Sequence, residues 1–147
     1  MIKFFYLILF AVFLVNSNTS ANAKENFFDK AIKLYNNKNY EDSKFLLQRN
    51  IVFNPKDHLS YLYLAKIYKE EKNDKELKKN LDTTLLLNPK NEEALYMLIE
   101  LNIEKSNFSK VKELNETFLL VCSKLCSKKI IIAEKIKDLE PKNESQQ

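Results

Sequence analysis

The fold is decided by residues 54–91, which read NPKDHLSYLYLAKIYKEEKNDKELKKNLDTTLLLNPKN; the Asn-Pro-Lys tripeptide at their start recurs at residues 88–90. The step from Asn54 in the first tripeptide to Asn88 in the second recurs elsewhere in the chain. Two other series share that step: Asn39, Asn73 and Asn107 in one, and Ala31, Ala65, Ile99 and Ala133 in the other. A fixed period of about 34 residues is typical of stacked helix pairs. The sequence therefore predicts an all-α protein, an α-solenoid of three helix hairpins followed by a C-terminal capping helix.

The composition is that of one globular domain. The chain has 147 residues, of which 45% are hydrophobic and 30% charged, so an intrinsically disordered protein is excluded. It has no glycine, which excludes a glycine-rich phosphate loop. The net charge of +4 is mild, and Arg49 is the only arginine. No nucleic-acid partner is therefore predicted.

Residues 1–23 have the pattern of a secretory signal peptide. Lys3 is followed by an unbroken apolar run from Phe4 to Val15, and the segment ends in Ala21-Asn22-Ala23. That run is shorter than the roughly 20 apolar residues of a membrane-spanning helix. We expect cleavage before Lys24 and a periplasmic mature chain, which meets the membrane only transiently through its signal peptide.

Apolar residues recur at helical spacing in seven segments of the mature chain. The expected helices are 24–36, 40–53, 59–71, 75–87, 94–104, 108–121 and 127–139. They form hairpins at 24–57, 58–91 and 92–123 and a capping helix at 127–139, and residues 140–147 are expected to be disordered. Expected inward-facing residues include Tyr40, Phe45, Leu46, Ile51, Val52 and Phe53, then Leu85, Leu86 and Leu87, and finally Ile130, Ile132, Ala133 and Ile136.

The turns between these helices are rich in asparagine. Asparagine tolerates the left-handed backbone conformation that often ends a helix, so we expect it to replace the missing glycine there. Asp74 and Asn91 are expected to cap the helices that follow them.

The mature chain resembles the tetratricopeptide repeat family from Lys24 to about Leu139. That family has a large residue at the fourth position of each unit, small residues at the eighth and twentieth, an aromatic residue at the seventeenth and proline at the thirty-second. In the same order, the three units here have Phe27, Tyr61 and Leu95; Ala31, Ala65 and Ile99; Ser43, Leu77 and Val111; Tyr40, Asp74 and Phe108; and Pro55, Pro89 and Ser123. The resemblance implies a superhelix with a concave face.

The resemblance also implies which residues line that face, because the first helix of each unit borders it. The implied partner-binding groove consists of Phe28, Ile32, Tyr35, Leu62, Lys66, Lys69, Tyr96, Glu100 and Ile103. An extended peptide or a short helix could bury apolar side chains on it while the lysines meet a carboxylate. The alternative is that the aromatic residues belong to the core and the lysines to a solvated face.

Cys122 and Cys126 are the only cysteines. An exported chain enters an oxidising compartment, so we predict a structural disulfide that joins the sixth helix to the capping helix. Free thiols and a reactive pair remain alternatives, although the C-x-x-C spacing of redox-active pairs is absent.

The sequence contains no recognisable constellation of catalytic residues. The sole histidine, His58, falls at a predicted turn, and Glu92 and Glu93 are explained by the start of a helix. We therefore predict no enzyme, no cofactor, no metal site and no small-molecule substrate.

The favoured hypothesis is a protein–protein interaction scaffold of the cell envelope. Alternatives are a structural accessory subunit, whose groove is filled by its own capping helix or a second copy, and a thiol–disulfide partner acting through Cys122 and Cys126.

Overall fold

The computed structural model describes residues 26–139, which contain seven α-helices and no strand. The helices are α1 Phe27–Asn36, α2 Tyr40–Phe53, α3 His58–Glu70, α4 Asp74–Leu87, α5 Glu92–Glu104, α6 Phe108–Val121 and α7 Lys128–Leu139. Each helix packs against the next along the chain, and α5 also packs against α7. The predicted all-α class and the order of the helices are confirmed. The predicted signal peptide and the polar tail lie outside the described residues.

Asparagine begins most of these helices. Asn26, Asn39, Asn73, Asn91 and Asn107 are N-caps whose side chains accept a hydrogen bond from the first turn. Asn91 Oδ1, for example, accepts from the Ala94 amide at 2.9 Å. Such a cap satisfies one of the amides that the first turn leaves unpaired. The prediction for Asn91 is confirmed, whereas that for Asp74 is wrong, because Asn73 caps α4 and Asp74 is its first helical residue.

The left-handed residues inside the hairpins are not asparagines. Lys38, Lys72 and Ser106 have φ values of 61°, 55° and 51°. The expectation that asparagine would take this conformation is wrong, because the asparagine that follows each of them serves as the N-cap of the next helix. Each cap has a negative φ, so the preceding residue makes the sharp change of direction.

The buried apolar residues form two clusters. The C-terminal core draws on α3 to α7 and contains Leu62, Ala65, Leu77, Leu81, Ala94, Leu95, Met97, Leu98, Ile99, Leu101, Val111, Leu114, Phe118 and Ile132. The N-terminal core contains Ala31, Leu47, Leu64 and Ile67 from α1, α2 and α3. The three residues larger than the repeat pattern favours, Ile99, Leu77 and Val111, are all buried in the C-terminal core.

Several residues expected to face inward are exposed. These are Phe45, Val52 and Phe53 in α2, Leu86 in α4, and Ile130 and Ala133 in α7. The reason in α2 is that its buried side consists of Ser43, Leu47 and Asn50, spaced at i, i+4 and i+7. Two of these three are polar, so the apolar residues alone gave the wrong face. None of the helices that the structure describes is long and apolar enough to span a membrane.

The segment between α6 and α7 is a tight loop. The sulfur atoms of Cys122 and Cys126 lie at disulfide-bonding distance, with Cα atoms 5.2 Å apart. The Glu92 carboxylate at the start of α5 accepts hydrogen bonds from the Ser123, Lys124 and Leu125 amides at 2.7, 3.0 and 3.1 Å. Desolvation opposes ionisation of this carboxylate, but the amide hydrogen bonds outweigh it and lower its pKa. The acid expected only to favour the helix dipole therefore also fixes the loop that leads into α7.

Candidate functional site

The surface formed by α1, α3 and α5 contains two adjoining depressions, which we call the groove. The first, of about 500 Å³, is lined by Phe28, Asp29, Ile32, Lys33, Leu59, Leu62, Tyr63, Lys66 and Glu93. The second, of about 400 Å³, is lined by Tyr35, Lys66, Lys69, Glu70, Glu93, Tyr96, Met97, Glu100, Leu125 and Lys128. Lys66 and Glu93 line both depressions, so the two form one continuous surface.

The structure brings together eight of the nine residues that the resemblance placed in the groove. Ile103 does not line either depression and packs against the C-terminal core instead. Leu62 contributes little to the surface, because it is only 3% exposed and belongs to that same core. The exposed part of the groove is therefore aromatic at the α1 end and charged where α3 meets α5.

Three aromatic rings form the α1 end of the groove. Tyr63 packs edge-on against both Phe28 and Tyr35, with ring centroids 5.8 Å and 5.1 Å apart. Burial, together with the neighbouring Tyr40 and Glu70, raises the pKa of Tyr35, so its hydroxyl stays a neutral donor at physiological pH. Tyr63 joins the other two rings, yet the sequence did not single it out. The only sign in the sequence that Tyr63 belongs to the groove was its position directly after the predicted groove residue Leu62.

The two groove lysines of α3, Lys66 and Lys69, are already paired with glutamates of the next unit. Lys66 Nζ lies 2.7 Å from Glu93 Oε1, and Lys69 Nζ lies 2.7 Å from Glu100 Oε2. The Lys66 ammonium also lies 4.4 Å from the centre of the Tyr63 ring, a cation–π contact. The two pairs join α3 to α5 and place both signs of charge along one wall. Glu93, which the sequence assigned only to the start of a helix, is thus part of this wall.

The first turn of α7 and the loop before it close the C-terminal end of the groove. Lys128 Nζ lies 5.2 Å from the centre of the Tyr96 ring, and Leu125 lines the same depression. Burial and the neighbouring Glu100 carboxylate raise the pKa of Tyr96 to about 12. The Tyr96 hydroxyl therefore stays protonated and is not an acid–base group near neutral pH.

The groove does not contain the histidine of the chain. His58 is the first residue of α3, and its Nε2 lies 3.4 Å from Asn88 Nδ2. Within residues 26–139, no three histidine, cysteine or acidic side chains are close enough together to hold a metal ion. What the groove offers chemically is a surface for contact: aromatic rings, aliphatic side chains and fixed charges of both signs.

No protein-family model matches this chain, and no curated protein matches it in sequence. Among solved structures, it is similar to the type III secretion chaperone SycD of Yersinia enterocolitica, which was solved in complex with a peptide of the translocator YopD. The TM-score is 0.67 at 13% sequence identity, and the match covers 84% of this chain and 96% of the other. At this identity the similarity establishes the fold, a tetratricopeptide-like stack of helix pairs.

Proposed function

We propose that this protein is an exported interaction scaffold, a member of the tetratricopeptide repeat family that holds a segment of another protein in its groove. The observation that carries the proposal is the continuous surface from Phe28 to Tyr96, aromatic at one end and charged along one wall. The fold supports it, since stacked helix pairs create extended concave surfaces suited to elongated ligands.

The groove suits a segment that alternates apolar and polar groups. The Phe28, Tyr35 and Tyr63 rings form an apolar surface for ligand side chains, and rigid aromatic rings lose little entropy on contact. The Lys66–Glu93 and Lys69–Glu100 pairs supply donors and acceptors for the amides and carbonyls of a ligand backbone. Because the Lys69 and Glu100 side chains are 45% and 32% exposed, rearranging that pair costs only about 0–1 kcal/mol. Lys69 can therefore change partners on binding at little cost.

The proposed location is the periplasm, and its support is the signal-peptide pattern of residues 1–23. A fusion of the full chain to alkaline phosphatase, which is active only after export, tests this location. Mass spectrometry of the exported product then tests cleavage before Lys24. A fusion that shows no phosphatase activity and stays inside the cell would contradict the proposed location. It would leave the proposed binding by the groove untouched.

A selection from a phage-displayed dodecapeptide library tests the binding function. The immobilised protein is expected to enrich peptides that share apolar residues. The double variant Phe28→Ala/Tyr96→Ala should weaken their binding by at least about tenfold, because buried aromatic anchors commonly dominate such contacts. Phe45→Ala is the matched control, since Phe45 is 60% exposed on α2 and outside the groove. Melting curves by circular dichroism would confirm that all three proteins are folded. A lack of enrichment, or equal binding by the double variant, would refute the proposal.

A second candidate is a structural subunit whose groove is occupied by its own α7. The observation that favours it is that Leu125 and Lys128 line the groove beside Tyr96. If α7 competes with a ligand, Lys128→Ala should increase the affinity of the selected peptides. If α7 is instead a wall of the binding site, the same substitution should leave the affinity unchanged or reduce it.

A further inference from the structure

One position in the second helix of each hairpin carries an exposed aliphatic residue in all three units. Val52, Leu86 and Leu120 follow the repeat step and are 77%, 81% and 87% exposed. Each lies next to the end of its helix, in α2, α4 and α6. A single exposed aliphatic side chain needs no explanation, but the same exposure repeated in register forms a row on one side of the stack.

A row of lysines follows the same step. Four residues after each exposed aliphatic residue comes a lysine: Lys56, Lys90 or Lys124. All three lysines are exposed. Among the ion pairs of residues 26–139, none involves these three side chains. We call the six residues the turn edge, because they lie at the turns that connect one unit to the next. These turns all lie at one end of the stack, opposite the turns inside the hairpins.

The acidic groups nearest the turn edge are mostly engaged within the protein. Asp57 caps α3 and bonds to Asn50 and Ser60, and the Glu92 carboxylate is held by the loop amides. Asp82 pairs with Lys78, and Glu116 is exposed one turn before Leu120. The turn edge therefore combines apolar side chains with three lysines that form no ion pair among the described residues, although the Asp57 and Glu92 carboxylates keep their negative charge nearby.

The chain preceding the described residues joins the molecule at this same edge. Phe27, the first residue of α1, stacks on Phe53 with ring centroids 5.7 Å apart. Asn26, Phe53 and Lys56 line one surface depression. The segment before Asn26 includes the apolar run from Phe4 to Val15. Because residues 16–25 span at most about 35 Å, any attachment of that run to a bilayer tethers this end of the stack within that distance of the bilayer surface.

We propose that the turn edge is a docking surface for an anionic membrane. The aliphatic side chains would enter the boundary between headgroups and acyl chains, and the lysines would pair with lipid phosphates. This differs from the sequence expectation that the membrane is contacted only through the signal peptide. None of the six turn-edge residues lines either depression of the groove, so the two surfaces can be altered separately by substitution. The proposal does not depend on the proposed function.

Vesicle co-sedimentation of the purified protein, with its N-terminus established by mass spectrometry, tests the charge of the edge. Binding is expected to vesicles of phosphatidylglycerol and phosphatidylethanolamine, and not to vesicles of phosphatidylcholine alone. Each lysine at an anionic surface contributes about fivefold, so Lys56→Gln/Lys90→Gln/Lys124→Gln should weaken binding roughly 100-fold. The matched control, Lys75→Gln/Lys112→Gln/Lys135→Gln, removes the same charge at exposed sites away from the edge. Any retained N-terminal segment is common to all variants. Equal losses in the two triple variants would refute the proposal.

A fluorescent probe tests whether the edge itself enters the bilayer. The protein has no tryptophan, so Leu86→Trp places a single one on the edge and Lys135→Trp places one on α7. With anionic vesicles, only the Leu86→Trp emission should shift to the blue and be quenched by lipids with brominated acyl chains. Absence of both effects would overturn the proposal.

A second copy of the chain is the competing occupant. If a second copy occupies the edge, sedimentation velocity would show the lipid-free protein as a dimer, and the variant Val52→Ser/Leu86→Ser/Leu120→Ser as a monomer. In that case the unsubstituted protein would not bind vesicles.

Discussion

The two ends of this helical stack follow the same plan but are held together differently. In the C-terminal part, α3 to α7 share one aliphatic core that includes Ile99, Phe118 and Ile132. In the N-terminal part, the only buried residues that α1 and α2 contribute to the small core shared with α3 are Ala31 and Leu47. The comparison teaches that a repeated sequence pattern fixes the backbone plan of each unit, while the packing between units depends on the individual side chains.

The N-terminal core has few buried apolar residues. Partly buried aromatic rings packed against it and hydrogen bonds between side chains also hold α1, α2 and α3 together. The buried Asn50 Nδ2 donates to Asp57 Oδ2 at 2.7 Å and to Ser60 Oγ at 2.8 Å, and so joins α2 to α3. Ser43 Oγ donates to the Ala31 carbonyl at 2.8 Å and joins α2 to α1. Such bonds stabilise by roughly 0.5–1.5 kcal/mol each, less than a fully buried aromatic ring. We therefore expect the N-terminal hairpin to open at a lower free energy than the C-terminal units.

Phe118→Ala should have the largest effect on this comparison. Phe118 is fully buried in the C-terminal core, and truncating such a ring lowers the free energy of unfolding by about 3–5 kcal/mol. Urea denaturation followed by circular dichroism measures the loss. Phe45→Ala, at a 60% exposed position, should change stability by less than about 0.5 kcal/mol. A loss below about 1 kcal/mol for Phe118→Ala would mean that this core is not what holds the stack.

Asn50→Ala should act locally, with a loss of about 1–3 kcal/mol, because it leaves buried polar partners on α3 with fewer hydrogen bonds. Hydrogen exchange by mass spectrometry should show faster exchange in α1 and α2 and unchanged exchange in α5 and α6. Thr117→Ala, which removes an exposed helix hydroxyl, is the control. Equal acceleration in α5 and α6 would show that the two ends unfold as one unit.

Glu92→Gln should have a smaller effect that depends on pH. The folded state lowers the pKa of Glu92 below the ordinary value of 4.5, so the ionised carboxylate stabilises the fold above that value. The stability difference between wild type and variant should be present at pH 7 and disappear as the pH falls through the lowered pKa. Urea denaturation at pH 7 and pH 3 measures it. Glu113→Gln, on the exposed side of α6, is the control. A difference that persists unchanged at pH 3 would refute the role of the carboxylate.

Lys38→Gly should produce the smallest change, a gain of about 0.5 kcal/mol. The left-handed conformation costs a residue with a Cβ about 1–2 kcal/mol, and glycine avoids that cost. The greater freedom of glycine in the unfolded chain offsets part of the resulting gain in stability. The neighbouring Asn37→Gly should not stabilise, because Asn37 has a φ of −85°. Thermal melting of the two variants distinguishes them. A loss of stability in Lys38→Gly would contradict the argument.

Much of the architecture was predictable, because it depends on local signals. The spacing of apolar residues located all seven helices, and Pro55 and Pro89 end the first two units. The faces of the helices were less predictable. In α2 the buried face includes Ser43 and Asn50, and no apolar pattern marks it. The groove was predictable only in outline, because Tyr63 and Glu93 enter it through contacts with residues distant in the chain.

By itself, the sequence determined the number of helices, their order and the constant step between units. These depend on interactions between residues a few positions apart, which are visible along the chain. Only the tertiary structure decided that Lys66 and Lys69 pair with α5, that Glu92 holds the loop before α7, and that Val52, Leu86 and Leu120 stay exposed. Each of these outcomes depends on which surface of a neighbouring unit a side chain meets. That choice is made by packing in three dimensions and not by spacing in the sequence.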